Sequence, residues 1–347
     1  MSSSDPLSDC LAGLRVLDLT RLLPGPLAAR HLADWGAEVV KVDDPAGGDA
    51  ARHMLASPDE RRAGEDSAYY RELNRGKREQ RIDLRSAAGR EQLLAMAEGA
   101  DALLEGFRPG VMARLGLGWD VLHTRNPRLV LVSITGYGQQ GPYASRAGHD
   151  INYIALSGVL GQIGAAPGEL ALPNFQVADL LGGTLSATSA ALAALLAAQR
   201  TGLGRHVDVS MTREVWRHGL VARAEAIAMR PILGPSPPPA SGLLDGGCAC
   251  YNVYRAADGR HLAVGALEAK FWEAFCGAID RAAWAERHWT KGELPGSPAA
   301  RETIRELAAL VATRPLADWV ALTDAVDCCV TPVLRLDEVE AHPWFLG

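Results

Sequence analysis

The sequence lacks several features, and each absence removes a class of protein. No long basic run occurs among its 347 residues, and the formal net charge is -6. Basic residues stand singly near glycines, an arrangement that suits small anionic ligands and argues against a general nucleic-acid binder. The six cysteines show no zinc-site spacing: Cys248 and Cys250 are separated by one residue, Cys328 and Cys329 are adjacent, and Cys10 and Cys276 stand apart. With no metal site expected, and disulfides implausible in so long a chain without a signal peptide, they read as reduced thiols of a cytoplasmic protein. The opening Met1-Ser2-Ser3-Ser4-Asp5 has no cationic region followed by an apolar one, which argues against a secretory signal. The most apolar stretch, Leu185 to Ala198, is interrupted by Ser186, Thr188 and Ser189. It falls short of the about 20 apolar residues of a membrane span and reads as a tightly packed core helix. No Gly-x-Gly-x-x-Gly opens a helix, which removes a nicotinamide-dependent oxidoreductase. There is no internal repeat.

What is present points to an α/β protein. Hydrophobic residues make up 48% and charged residues 22%, ordinary for a globular chain able to bury a large core. The N-terminal half alternates β-branched runs with helical stretches, the pattern of a parallel sheet covered by helices. Strands are expected at Val16–Leu19, Glu38–Val42, Arg81–Leu84, Ala102–Glu105, Val130–Ile134 and His206–Val209. Helices are expected at Pro26–Trp35, Ser86–Glu98, Thr184–Ala198 and Met211–Ala228. The break falls at Pro231 to Gly242, where Pro231, Pro235, Pro237, Pro238 and Pro239 sit among Gly and Ser, a composition that reads as a linker or mobile loop. Beyond it, Tyr251–Tyr254 and His261–Val264 flank Ala256-Ala257-Asp258-Gly259, a hairpin signal, and helices follow to about Thr323. The reading is a large Rossmann-like domain over residues 1–228, a small α+β domain over 229–325, and a last segment, 326–347.

Three ionisable residues lie in short segments rich in small residues or sharp turns: His149 in Gly148-His149-Asp150-Ile151-Asn152-Tyr153, Asp179 in Val177-Ala178-Asp179, and Glu268 in Gly265-Ala266-Leu267-Glu268. An imidazole and a carboxylate on opposite faces of one carbon can pass a proton in from one side and out from the other, the chemistry of a racemase beside a carbonyl. Taken singly, each has a plainer reading. His149 can be a turn residue, Asp179 a helix N-cap worth about 1 kcal/mol, and Glu268 an exposed acid at a helix start.

The landmarks in order resemble the family III CoA-transferase superfamily, and more closely its α-methylacyl-CoA racemase branch. They are Leu11-Ala12-Gly13-Leu14-Arg15-Val16-Leu17-Asp18-Leu19, then Leu32-Ala33-Asp34-Trp35-Gly36-Ala37-Glu38-Val39-Val40-Lys41-Val42, then Leu73-Asn74-Arg75-Gly76-Lys77. Glu105-Gly106-Phe107-Arg108-Pro109-Gly110, Arg114-Leu115-Gly116 and Thr135-Gly136-Tyr137-Gly138 continue the set. The Gly-His-Asp-Ile-Asn-Tyr run and Leu244-Asp245-Gly246-Gly247 are similar to the racemases in particular.

The resemblance implies an acyl-CoA substrate, with CoA as part of the thioester and no other cofactor. It places the two acid/base roles on His149 and Asp179 and makes Glu268 the carboxylate that orients the imidazole. An imidazole titrates near 6.5, whereas an Asp near 3.9 must be raised by burial to serve as an acid; Phe175, Val177, Leu180 and Leu181 are the expected source. The Asp179 backbone N–H is a candidate donor to the enolate oxygen, and Asp150 either lines that region or caps a helix. By position, Lys41, Arg75, Arg108 and Arg114 become candidates for the CoA phosphates, with Leu73, Asn74 and Tyr137 along the adenine and pantetheine. The resemblance further implies an interlocked homodimer, with 326–347 a shortened return toward the large domain. In a family III CoA-transferase, by contrast, Asp179 would attack the thioester and form a mixed anhydride; His149 and Glu268 favour the racemase. Two segments depart from the racemase pattern, Leu180-Leu181-Gly182-Gly183 and Cys248-Ala249-Cys250, and they bear on the shape of the acyl pocket.

Overall fold

A computed structural model describes residues 6–166, 168–234 and 236–345, without the side chains of Ile232 and Leu233. The Met1–Asp5 stretch read for a secretory signal, Pro235 of the proline-rich break, and the terminal Gly347 lie outside the described residues. The chain divides into two compact units: residues 1–159 with 173–219, and residues 160–172 with 220–347. The boundary therefore falls at Gly219 rather than at residue 228, and a short insert from the first half of the chain joins the second unit.

In the first unit six strands form one sheet in the order β3-β2-β1-β4-β5-β6, every pairing parallel. They are β1 (Arg15–Leu19), β2 (Glu38–Asp43), β3 (Arg78–Arg81), β4 (Ala102–Glu105), β5 (Val130–Thr135) and β6 (His206–Ser210). This is the Rossmann-like order, and it reverses direction between β1 and β4. Central strands are buried on both faces, as in β5, where all six residues are buried, so they read as continuous apolar runs. The third strand was expected at Arg81–Leu84 and lies three residues earlier. Its Arg78-Glu79-Gln80-Arg81 sequence is an edge without apolar alternation, paired in register to Val40–Asp43.

Helices cover the sheet. Pro24–Asp34 begins at a proline suited to the first helical turn, and Ala87–Glu98 begins behind Ser86, whose hydroxyl accepts the Gly89 N–H. The apolar stretch expected as one helix from Thr184 starts earlier, as a π-helical segment over Ala178–Leu185 that runs into an α-helix over Ser186–Thr201. The continuous 24 residues have the length and hydropathy of a membrane span, which corrects the inference that the run is too short. In the fold, Ala187, Ala191, Ala194 and Ala198 are buried, and the small side chains let the helix pack closely against β5 and β6. The helix expected over Met211–Ala228 is two, Met211–His218 and Leu220–Ala228, parted at Gly219.

The second unit contains an antiparallel sheet, β7 (Tyr251–Arg255), β8 (His261–Gly265) and β9 (Val330–Pro332), with helices at Ala269–Ala278, Pro298–Val311 and Leu316–Thr323. Trp272, Phe275 and Trp319 fill its core together with Cys248, Cys250, Cys276 and Cys328, all free thiols. The 326–347 segment, expected to return to the large domain, instead groups with the second unit and supplies its edge strand β9.

Candidate active site

In an open parallel sheet, ligands sit outside the carboxyl ends of the strands where strand order reverses. Here that crevice lies between the turn after β1, Thr20-Arg21-Leu22, and the turn after β4, Gly106-Phe107-Arg108. A cavity of about 360 Å³ occupies it, and His149, Asp179, Tyr137 and Arg108 all line it. Two residues separated by thirty positions thus reach one cavity from different elements.

His149 stands at the start of the Asp150–Leu156 helix, where its backbone N–H donates to Asn152 Oδ1 at 3.1 Å. Its side chain is exposed to the cavity. The segment is fixed by Tyr153, whose hydroxyl donates to the Gly148 carbonyl at 2.5 Å and whose ring lies edge-on to Tyr137 at 5.2 Å. A Cβ at Gly136 would lie 2.2 Å from that ring and one at Gly148 2.7 Å, so the Gly-His-Asp-Ile-Asn-Tyr run works as a seat for one tyrosine.

Asp179 is the second residue of the π-helical segment, so it is not the N-cap. Asp150 performs the capping across the gap: its Oδ1 accepts the Ala178 N–H at 2.6 Å and the Asp179 N–H at 2.9 Å. That resolves the two readings of Asp150 in favour of a helix cap. It also corrects the expected enolate donor, because the Asp179 N–H is already given to a carboxylate. Burial, then the nearby Asp150 charge, push the Asp179 carboxyl up to about 7. Phe175, one of the residues expected to bury it, is itself 61% exposed. The helix is seated by its glycines: a Cβ on Gly182 would meet the Met211 carbonyl at 2.6 Å, and one on Gly183 would meet Pro24 Cβ at 2.5 Å.

Opposite these, the Gly106–Arg108 turn is held by Glu105, whose Oε2 accepts the Phe107 N–H at 2.7 Å. Burial raises this carboxyl to about 7 against the hydrogen bonds from Ser133 and Phe107.

The remaining expected ligand residues separate. Arg108 lines the cavity and is exposed, and Arg114 is exposed at the end of the short Val111–Arg114 helix. Arg75 is exposed and pairs with Asp34 at 3.5 Å and Glu72 at 3.4 Å, away from the cavity lining. Lys41 is corrected: its side chain is 0% exposed and its ammonium faces Asp49 at 3.2 Å, so it cannot meet a phosphate. Leu73 and Asn74 are likewise buried, the Asn74 amide donating to the Tyr70 carbonyl at 3.1 Å. Glu268 is the exposed N-cap residue of the Ala269–Ala278 helix in the second unit, without a side-chain capping bond. Two cations were not singled out from the sequence as ligands. Arg21 lines the cavity with its guanidinium 5.8 Å from the Phe107 ring, and Arg146 lines it from over the Tyr143 ring at 4.3 Å. Arg21 carried a signal, since it follows the carboxyl end of β1; Arg146 lies in a loop and carried none.

The chain as a whole is similar to known proteins. The family model described as CoA-transferase family III matches residues 11–346. An alpha-methylacyl-CoA racemase of Homo sapiens is 35% identical over 342 residues, covering 96% of this chain and 80% of that protein. A probable fatty acyl-CoA transferase of Mycobacterium tuberculosis is 34% identical, covering 94% and 82%. Among solved structures, a CAIB/BAIF family protein from Brucella suis is similar with a TM-score of 0.78 at 28% identity, covering 98% of this chain and 88% of that one.

Proposed function

The chain belongs to CoA-transferase family III, and from that premise we propose that it is an isomerase interconverting (R)- and (S)-2-methylacyl-CoA thioesters. The family makes it an enzyme; the reaction is our reading of the site. One of the pair His149 and Asp179 removes the α-hydrogen as a proton, the electron pair passes to the thioester oxygen as an enolate, and the other returns a proton to the opposite face. A single group would return the proton to the side it left, so two are required. Glu268 is the proposed partner that fixes the His149 tautomer.

The observation that carries this reading is the shared cavity: an imidazole and a carboxyl held near neutrality by burial line it from separate elements. A carboxyl that titrates near working pH can act as acid in one direction and as base in the other. Arg108, with Arg21 and Arg146, supplies positive charge for the CoA phosphates. A cytoplasmic, interlocked homodimer completes the proposal and rests on the resemblance.

The second reading is a CoA-transferase in which the Asp179 carboxylate attacks the thioester carbonyl and expels CoA thiolate; the thiolate then attacks the aspartyl carbonyl of the mixed anhydride and releases the donor acid. An acceptor carboxylate attacks the aspartyl-CoA thioester, and the freed thiolate takes the acceptor acyl group from this second anhydride, which restores Asp179. It is favoured by the transferases among the relatives. Incubating the protein with a 2-methylacyl-CoA in deuterium oxide, with and without added carboxylic acids, separates the two. Loss of chirality with α-deuterium incorporation is expected; CoA transfer without α-exchange overturns the isomerase.

A further inference from the structure

Two buried lysines grip the chain on either side of the turn that follows β1, one just before it and one in the first turn of the Pro24–Asp34 helix. Lys41 Nζ donates to the Thr20 carbonyl, and Lys77 Nζ donates to the Pro26 carbonyl at 2.7 Å. Both ammonium groups have buried counter-charges, Lys41 with Asp49 at 3.2 Å and Lys77 with Asp18 at 2.8 Å; all four side chains are 0% exposed. Between the two grips, Leu22 has φ 66, the left-handed region that a branched residue rarely occupies. Its N–H is directed onto the Asp49 carboxylate at 3.0 and 3.1 Å. A strained residue persists only where its surroundings over-determine it, and here an ion pair does so.

The same turn touches the helix that carries Asp179. Thr184 Oγ1 donates to the Pro24 carbonyl at 2.8 Å, and Gly183 leaves room for the Pro24 ring. Thr20, Leu22 and Pro24 line the cavity together with Asp179.

We propose that Lys41, Asp49 and Lys77 are positioning residues: a buried clamp that holds the Thr20–Pro26 segment, turn and helix start together, with Leu22 left-handed and, through Pro24, sets the seat of Asp179. The clamp touches no substrate; it acts through the turn. The inference rests on Asp179 being the reacting carboxyl, whichever of the two reactions it performs.

A double-mutant cycle tests it, because glycine adopts the left-handed conformation without strain and needs no clamp. Asp49→Asn in the Leu22 background is expected to lower turnover at least tenfold, read as α-exchange or as CoA transfer. The same change in a Leu22→Gly background is expected to cost less than threefold. Equal losses in both backgrounds overturn the proposal, because a merely structural Asp49 gives no such coupling. If Asp49→Asn does not fold, Thr184→Val decides. It removes one bond between turn and helix, and at least a threefold fall in kcat with KM within twofold supports the proposal, while unchanged kcat overturns it. Hydrogen exchange by mass spectrometry keeps the result independent of activity. In either variant faster exchange is expected over both 20–26 and 178–185, and a change absent from 178–185 overturns the clamp even if neither reaction is found. Absence of both reactions in the unaltered protein refutes the functional reading instead.

Discussion

Removing the Asp150 charge isolates the electrostatic part of the site. In Asp150→Asn the side-chain oxygen remains available to accept the Ala178 and Asp179 N–H groups now bonded at 2.6 and 2.9 Å, while the negative charge disappears. Asp179 stands at about 7 against an ordinary 3.8, with burial the larger cause and Asp150 the second. Less than half of the shift therefore leaves with Asp150, a drop of no more than about 1.5 units, or about 2 kcal/mol at about 1.4 kcal/mol per unit. The sign follows directly. With its pKa lowered, Asp179 is ionised at a lower pH and is a weaker base once ionised.

For the enantiomer whose α-hydrogen Asp179 removes, the acid limb of the kcat/KM profile for exchange should move down by about one unit. The variant should then be faster than the unaltered enzyme below about pH 6, by up to about tenfold, and somewhat slower on the plateau above about pH 8, as a weaker base transfers more slowly. Stopped assays of α-deuterium wash-out from each enantiomer, across that range, read both effects. A limb that stays in place or moves up refutes the reasoning. So does an equal displacement for both enantiomers, which would put the titrating group elsewhere.

Arg108→Ala should raise the KM for acyl-CoA by about three- to tenfold with kcat little changed, the scale of an exposed charged contact. Arg75→Ala, whose guanidinium serves Asp34 and Glu72, should stay within about twofold, and the reverse order would mean that the phosphates bind along the Arg75 side. Glu105 is raised by burial to about 7, so the fold holds its proton, and stability present at low pH is lost as pH rises from about 4.5 through 7, by about 3 kcal/mol. Thermal melts from about pH 5.5 to 8.5 should accordingly show Glu105→Gln gaining on the unaltered protein as pH rises, whereas parallel curves would contradict a protonated Glu105. Gly183→Ala would set a Cβ 2.5 Å from Pro24 Cβ and 3.0 Å from Met211 Sδ, an overpacking of about 1–3 kcal/mol. Its melting temperature should fall and turnover with it; an unchanged melt would show that this contact has room to give.

The parts of the fold legible in the sequence were those that bury apolar surface. Val130–Thr135 announces itself because a central parallel strand is apolar on both faces. Arg78–Arg81 could not be placed, because an edge strand of four polar residues is recognised only by the strand beside it. The start of the Asp179 helix was missed for a related reason. Its cap, Asp150, lies 28 residues back, and Thr184 bonds a carbonyl 160 residues away, so no local signal marks the extra turns before Ser186. The small residues Gly182 and Gly183 were visible, but the Met211 carbonyl and the Pro24 ring that require them were not.

The site divides along the same line. The imidazole and carboxyl that line the cavity were singled out by the family resemblance, since each taken singly also has an ordinary structural use. Residues that hold the chemistry in place were misread, because a lysine near a glycine-rich turn has the same local sequence whether it meets a phosphate or a buried aspartate. Lys41 is the case in point. Its counter-charge is Asp49, eight residues on and across the turn, and what separates the two readings is the 0% exposure of both side chains. A buried pair of this kind contributes little net stability relative to apolar replacements, yet breaking one half leaves a charge uncompensated. Such a pair is informative for what it orders rather than for its strength, and what it orders here is a left-handed Leu22 on the wall of the cavity that contains Asp179.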